Sequence, residues 1–530
     1  MEEIKEQFES KMSDADLLRQ IDEWEKESEE FYSQLKRVWM KNMAYYVGQQ
    51  TDVQNIVGKY SKAVENRIFM ATETMIPIAT SRLPGVIVKP GDEDEVSQMN
   101  AEDLEYVLSY QFERVGIQAL CERFLRDKVI KRYGVFKIGW NQLEDDVDLK
   151  VVDPRRIRVP RYGKNIDDLA FIIEDLELSY AQLEEQFGAK AKDVYQYQDP
   201  NALKVRKKTY SVKEVWTNDF VVWVCNKQIL KKQENPYFDF KNLDKNFFNH
   251  AKKPYIIKSL FETEESIIGD TDYVSQMIPI QDNINIRKRQ IEDIASKVAN
   301  PPLLIDSDVM SEEEAANITN EPGFILYGKQ AAEGTKIRFE QPGQVPQYLF
   351  ADLQESRKEF DNIWGVHSTT RGEREGRETL GGRQLLREAD LGRIDLVARQ
   401  LERALDEIAE YWVQLIKLFY TDKKSFSILG EDGLRFVKQF TGKQVGNVKP
   451  MVKPGSTLKE DEASLKQLGL LLWQNKAIGL ETLYEYLRLP NKKKAIDDFI
   501  QTQSGAILRP QGPQGSPTPL PDQGTPTALP

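Results

Sequence analysis

The chain has 530 residues, too many for one simple core, and its 40% hydrophobic and 30% charged content is that of a soluble, folded protein of about three or four structural units. A net charge of -12 argues against a general nucleic-acid binder, because neutralising phosphates needs a basic surplus, although a protein that handles DNA without gripping it stays open. Only two cysteines, Cys121 and Cys225, far apart in sequence, argue against a disulfide scaffold or a cysteine-based zinc site. The acidic start MEEIKEQFESK has no apolar core and does not read as a signal peptide. No apolar run approaches the roughly 18 residues of a membrane span, so no membrane association and a cytoplasmic origin are expected.

In chain order, Leu17, Ile21, Trp24, Phe31, Leu35 and Trp39 recur at helical spacing and predict one long helix ending near Gly48, with its Trp and Tyr residues as core anchors. A second helix is predicted over 55–81, kinked and ended by Pro77 and Pro84, and a third over 101–131. The period then changes. GVFKIGW and DLKVVD flank the acidic turn NQLEDD and predict a β-hairpin. VVDPRRIRVP continues in extended form, and LAFIIEDLEL, YSVKEVW, FVVWVCNKQIL and KPYIIKSLF read as strands. After GDTDY a helix is predicted from Val274 to Ala299, with Ile284, Ile291, Ile294 and Val298 on its apolar side and Pro279 near its start. It stops at the Asn-Pro-Pro of 300–302. A compact segment of turns and short strands follows to Pro346, then a helix from Gln347 to Trp364. Beyond a Gly- and charge-rich loop, Gln384 to Tyr420 is the strongest pattern, with Ile394, Val397, Leu401, Leu405, Ile408, Trp412, Leu415 and Phe419 at intervals of three or four. A short β-rich piece and a helical pair complete the ordered part, and 504–530 reads as a disordered Pro/Gly-rich tail.

The sequence offers little for catalysis. His250 and His367 are the only histidines, so neither a His-based triad nor a multi-histidine metal site has material. No phosphate-binding loop is present; Thr441 to Gln444 lacks the upstream glycine and the Ser/Thr of that motif. The acidic runs EDDVD (144–148) and GDTDY (269–273) read as a hairpin turn and a helix N-cap region rather than Mg²⁺ sites. No catalytic residue, cofactor or metal is expected. The basic face of IRKRQ, with Arg287, Lys288, Arg289 and further along Lys297, reads first as a solvated helix face or as intersubunit ion pairs with Glu292 and Asp293; a row of charge facing a DNA backbone is the alternative.

The order of the pieces is more specific than any one motif. Together with YYVGQQ, GVFKIGW followed by VVDPRRIRVP, DNINIRKRQIEDIASKVANPP and GVHSTTRGEREGRETLGGRQLLREAD, it resembles the portal proteins of tailed bacteriophages over most of residues 1–500, the tail excepted. The resemblance implies an α+β, predominantly helical fold whose subunits form a ring, usually of about twelve, at one capsid vertex. The mixed α/β wing would be 1–268, the stem helices 269–300 and 347–366, and the α/β clip 301–346. The tunnel loop would be 367–382, the long wing helix with its β-rich return 383–457, the helical crown 458–503 and the tail 504–530. Double-stranded DNA would pass through the channel in packaging and ejection. The implied partners are the terminase large subunit and then a head-tail adaptor, with Glu312, Glu313, Glu314, Lys329 and Lys336 as clip contacts, and the major capsid and scaffolding proteins. The protein would be a virion component assembled in the host bacterial cytoplasm, and not an enzyme.

The opposed charges of the loop suit a channel. Gly372, Gly376, Gly381 and Gly382 allow it to shift without strain. Arg371, Arg374, Arg377 and Arg383 can touch phosphates without reading sequence, and Glu373, Glu375 and Glu378 offset an attraction that would otherwise hold DNA too tightly. The rival readings are another virion connector, which is normally shorter, a terminase enzyme of the packaging motor, which needs a Walker-type loop or a nuclease acid cluster, and a non-viral helical scaffold.

Overall fold

A computed structural model describes residues 13–53, 61–82, 84–196, 209–261, 266–299, 303–305, 311, 313, 337–339, 345–366, 380–429, 435–454 and 462–487. Among them the chain is α+β. The first helix, α1 (Asp14–Tyr46), runs unbroken as predicted; Ser13 accepts from the Asp16 amide at its start. Leu17, Ile21, Tyr32, Leu35, Trp39 and Tyr45 are buried along one side of it.

The next two helical stretches are shorter than the sequence suggested. Residues 61–66 are not helical; α2 (Arg67–Ala79) begins where the Asn66 side chain accepts from the Phe69 amide, and Pro77 sits within its last turn. After β1 (Val86–Pro90), the predicted single helix is two, α3 (Glu95–Arg114) and α4 (Ile117–Ile130). Gly116 separates them at φ +65°, a left-handed conformation that ends the first helix. No atom stands within 4 Å of a Cβ built there, so only backbone strain opposes Gly116→Ala. The variant is expected to lose about 1 kcal/mol, read from its urea midpoint.

The hairpin is present as β2 (Tyr133–Asn141) and β3 (Asp146–Val152), and β4 (Ile157–Arg158) follows a short 3-10 turn. β5 (Ile172–Leu178) leads to two helices that periodicity did not reveal, α5 (Tyr180–Phe187) and α6 (Lys190–Gln196). Then come β6 (Tyr210–Trp216), β7 (Phe220–Cys225), β8 (Gln228–Glu234) and β9 (Tyr255–Ser259). FVVWVCNKQIL is therefore a hairpin and not one strand: Asn226 and Lys227 both take positive φ, 49° and 60°, as a two-residue turn requires. The strands form two antiparallel sheets, ordered β3-β2-β9 and β4-β5-β6-β7-β8. Tyr133, Val135 and Val152 of the first share a core with Ile172, Trp216 and Val221 of the second and with Tyr32, Leu35 and Trp39 of α1.

The remaining elements are α7 (Tyr273–Ala299), β10 (Leu303–Ile305) paired antiparallel with β11 (Ile337–Phe339), α8 (Gln347–Trp364) and α9 (Leu380–Phe419). Ile394, Val397, Leu401, Leu405, Ile408, Trp412 and Leu415 of α9 are all at most 2% exposed, so its strong period marks a central core helix. Strands β12 (Lys424–Leu429) and β13 (Arg435–Phe440) form a two-stranded sheet. β14 (Val448–Val452) returns to pair with β1, tying residues 86–90 to the far end of the chain, a pairing no local pattern announces. The chain forms two compact units, one of 1–426 with 439–459 and one of 427–438 with 460–530. In the second, α10 (Glu462–Gln474) packs on α11 (Leu480–Leu487) so closely that a Cβ at Gly469 would lie 2.4 Å from Tyr486 Cβ. Cys121 and Cys225 are buried and unbridged; burial pushes the Cys121 thiol up. The predicted tail lies outside the described residues.

Candidate functional site: the helix pair and its clasp

The helix pair begins at a buried cap. Asp272 is fully buried; it accepts from the Ser275 amide at 2.6 Å and from Asn42 Nδ2 at 2.9 Å, and Asn42 in turn donates to the Ile130 carbonyl. Burial raises the Asp272 carboxyl despite these donors. The acidic GDTDY run is thus an N-cap, as its sequence indicated. Pro279 stands in the second turn of α7 rather than at its start, and so removes an internal hydrogen bond.

From there the helix presents polar side chains every four residues, and these bind an extended backbone. Gln281 Oε1 accepts from the Arg67 amide at 3.1 Å, while Gln281 Nε2 donates to the Glu65 carbonyl at 2.7 Å. Asn285 Oδ1 accepts from the Glu65 amide at 3.0 Å. Arg289 Nε donates to the Ala63 carbonyl at 3.0 Å, and Asp293 accepts from the Ser61 amide at 2.7 Å. Positions 281, 285, 289 and 293 fall on one stripe of a helix with 3.6 residues per turn. Residues 61–67 therefore lie along α7 as a strap, with backbone groups of 61, 63, 65 and 67 satisfied by its side chains.

The basic residues of the predicted helix face are divided by this arrangement. Arg289 is 7% exposed beneath the strap, and burial lowers its pKa. That placement removes it from a DNA-facing row. Arg287 pairs with Asp352 of α8, and Lys288 stands 4.0 Å from Glu65. Lys297 is exposed. Glu292 and Asp293 bond Ser61 of their own chain. EDDVD is divided likewise: Glu144 and Asp145 are exposed in the turn, but Asp146 accepts from Tyr420 Oη at 2.6 Å and from Gln111 at 3.0 Å.

α8 runs antiparallel to α7, since Tyr273 meets Trp364 with ring centroids 5.2 Å apart while Arg287 meets Asp352. A charged knot joins both helices to the strap. Arg357 forks onto Glu65, with Nε at 2.8 Å; Arg67 reaches Glu65 at 3.3 Å and Asp361 at 2.6 Å. Burial pushes the Glu65 carboxyl up, but the Arg357 and Arg67 guanidiniums outweigh it and hold the group below its ordinary pKa. At its C-terminus α8 is capped by another helix: Arg393 of α9 donates to the carbonyls of Asn362, at 2.9 Å, and of Ile363. Gly365 takes φ +83° there, and a Cβ on it would lie 2.5 Å from Arg393 Cδ. Val366 is buried.

The loop that follows carries most of the sequence-derived candidates. His367, Arg371, Gly372, Glu373, Arg374, Glu375, Gly376, Arg377 and Glu378 lie outside the described residues. Because α9 begins at Leu380, Gly381, Gly382 and Arg383 belong to its first turn, which starts three residues inside the range predicted as loop. Of the clip candidates, Glu313 is exposed, and Glu312, Glu314, Lys329 and Lys336 lie outside the described residues. The anchors Glu65, Arg67, Arg357, Asp361 and Arg393 were not singled out from sequence; the one local signal was Gly365, a helix stop directly after Trp364.

Among the described residues no His, Cys, Asp or Glu group is arranged to hold a metal ion, and no helix is long and apolar enough to cross a membrane. The pattern is that of a structural part, a helix pair fixed at its root and capped at its end. The profile of the Phage P22-like portal protein family matches residues 188–518, and the chain belongs to that family. Its role is that of a phage portal, a component of the capsid vertex. The match ends at residue 518, within the Pro-rich stretch that the sequence resemblance had left out. No curated protein sequence matches the chain.

Proposed function

We propose that the protein assembles into a ring, of about twelve copies in the virion, whose channel passes double-stranded DNA during packaging and ejection. Residues 1–268 form the wing with 383–457, α7 and α8 the stem, 301–346 the clip, the segment from 367 to the start of α9 the tunnel loop, and 458–503 the crown. The clip takes the terminase large subunit and later the head-tail adaptor; capsid and scaffolding proteins are the other partners. The protein itself performs no catalysis, and ATP hydrolysis belongs to the motor.

The helix pair carries this reading. Its inner side is filled by Leu349, Leu353, Phe360 and Trp364, yet Ile286, Val298, Tyr348, Phe350 and Ile363 remain between 43% and 67% exposed in the single chain. Copies arranged around an axis would cover such residues. The cap from Arg393 and the turn at Gly365 support the loop assignment, because they fix the base from which the loop leaves α8. Deleting 372–379 spares α9 and tests the assignment. Rings are expected to form as in the wild type, while packaged or retained DNA falls by about tenfold or more, since the loop's phosphate contacts and constriction go together. Loss of rings would make the loop structural and contradict its assignment.

A further inference from the structure

The helix pair carries a groove of about 490 Å³, lined by Arg287 of α7 and by Asp352, Glu355, Lys358, Glu359 and Ile363 of α8. It lies on the side away from the strap, since Arg287 stands about 200° round the helix from both Asn285 and Arg289. Arg287 is spent on Asp352, which leaves Glu355 and Glu359 against Lys358 alone. Both carboxylates are exposed, and among the described residues no cation pairs with either. Ile363 continues their row and is 44% exposed.

A second exposed row lies on α9. Leu396 is 53% exposed, and Arg399 and Arg403 are exposed beyond it. Asp395 holds Arg399 at 2.7 Å, while no described carboxylate pairs with Arg403, so this row is left with a positive charge where the groove is left with a negative one. The spacings agree. Residues 363, 359 and 355 span about 12 Å of helix, residues 396, 399 and 403 about 10.5 Å, and each set falls within an arc of about 80°. Laid antiparallel, Leu396 meets Ile363, Arg399 meets Glu359 and Arg403 meets Glu355. Within one chain no ion pair joins the two rows; α9 touches the end of α8 through Arg393. A chain with two different, complementary faces is built for a heterologous contact, the kind that closes a ring by repetition.

We propose that the groove of Glu355, Glu359 and Ile363 receives the row of Leu396, Arg399 and Arg403 from a second copy of the chain. The inference rests on the ring reading and names two faces that meet in it. Full-length chains carrying Ile363→Cys are co-expressed with chains carrying Leu396→Cys, so a disulfide between the two positions can only join two copies; the native Cys121 and Cys225 are buried. After mild oxidation of assemblies of ring mass, the 363–396 disulfide is expected at about tenfold or more the yield obtained when Gln354→Cys, exposed but outside the groove, replaces Ile363→Cys. Exchanging one charge pair gives a second readout. Glu355→Arg or Arg403→Glu alone should cut the ring fraction about fivefold or more, and the two together should restore it. Rings that form without a preferred 363–396 disulfide, or whose yield ignores the charge exchange, would overturn the pairing and leave the ring reading standing. A wild-type chain that forms no rings would overturn both.

Discussion

Lys137→Met is expected to destabilise the larger unit by about 3–5 kcal/mol, the usual effect of stripping one partner from a buried ion pair. The ammonium bridges Glu174 and Glu214, which are 5% and 6% exposed. Tyr255 Oη also donates to Glu174 at 2.7 Å, and Trp216 Nε1 to Glu214 at 2.6 Å, so both carboxylates are built into the core between the sheets. Without the lysine, two like charges face each other out of water. In the wild type, burial pushes the Lys137 ammonium down, but the Glu214 and Glu174 carboxylates outweigh it and hold its pKa above the ordinary value. Its stabilisation is therefore full below about pH 10.4 and lost only as pH rises through the raised folded value. The triple variant Lys137→Met, Glu174→Gln, Glu214→Gln should recover most of the loss. Urea unfolding followed by tryptophan fluorescence checks each step, and a single-variant loss under about 1 kcal/mol would refute the buried-triad account.

Glu65→Ala should have the next largest effect, about 2–3 kcal/mol, because it leaves Arg357 and Arg67 without the carboxylate they share at the strap. The figure is set below the fully buried case since Arg357 is 28% exposed. The group's folded pKa is depressed, so its contribution is present above the ordinary carboxylate value near about 4.3 and lost as pH falls through the lower folded one. Hydrogen exchange should locate the damage. Amides of 61–67 and of the helix pair are expected to lose protection, and those of α9 to keep theirs. Uniform loss across the unit would show that the knot holds the whole core and not the pair.

The long helices were legible because burial along one side imposes a period that survives in sequence. Leu17, Ile21, Leu35 and Trp39, and Ile394 to Leu415, are spaced by it and buried as it indicates, while Trp24 and Phe31 are partly buried against the same core. Breaks set by one backbone conformation were less visible. Gly116 ends α3 by taking positive φ, which residue type alone permits but does not require. Long-range pairing left no local trace: β1 meets β14, and Arg289 read as part of a solvated face until residues 61–67 are laid across it, with Gln281 and Asn285 beside it. A polar stripe looks alike whether water or a second backbone satisfies it. The ordered set of elements, which no single motif determines, was what pointed to the portal family.

The central claim is that this chain closes into a ring around a channel. Negative-stain microscopy with mass photometry of the purified protein addresses it most directly. The account predicts closed rings with a central hole and a mass about twelve or thirteen times 61.2 kDa. A species that stays at one or two times 61.2 kDa at high concentration, and that still fails to close when capsid and scaffolding proteins are present, would contradict it.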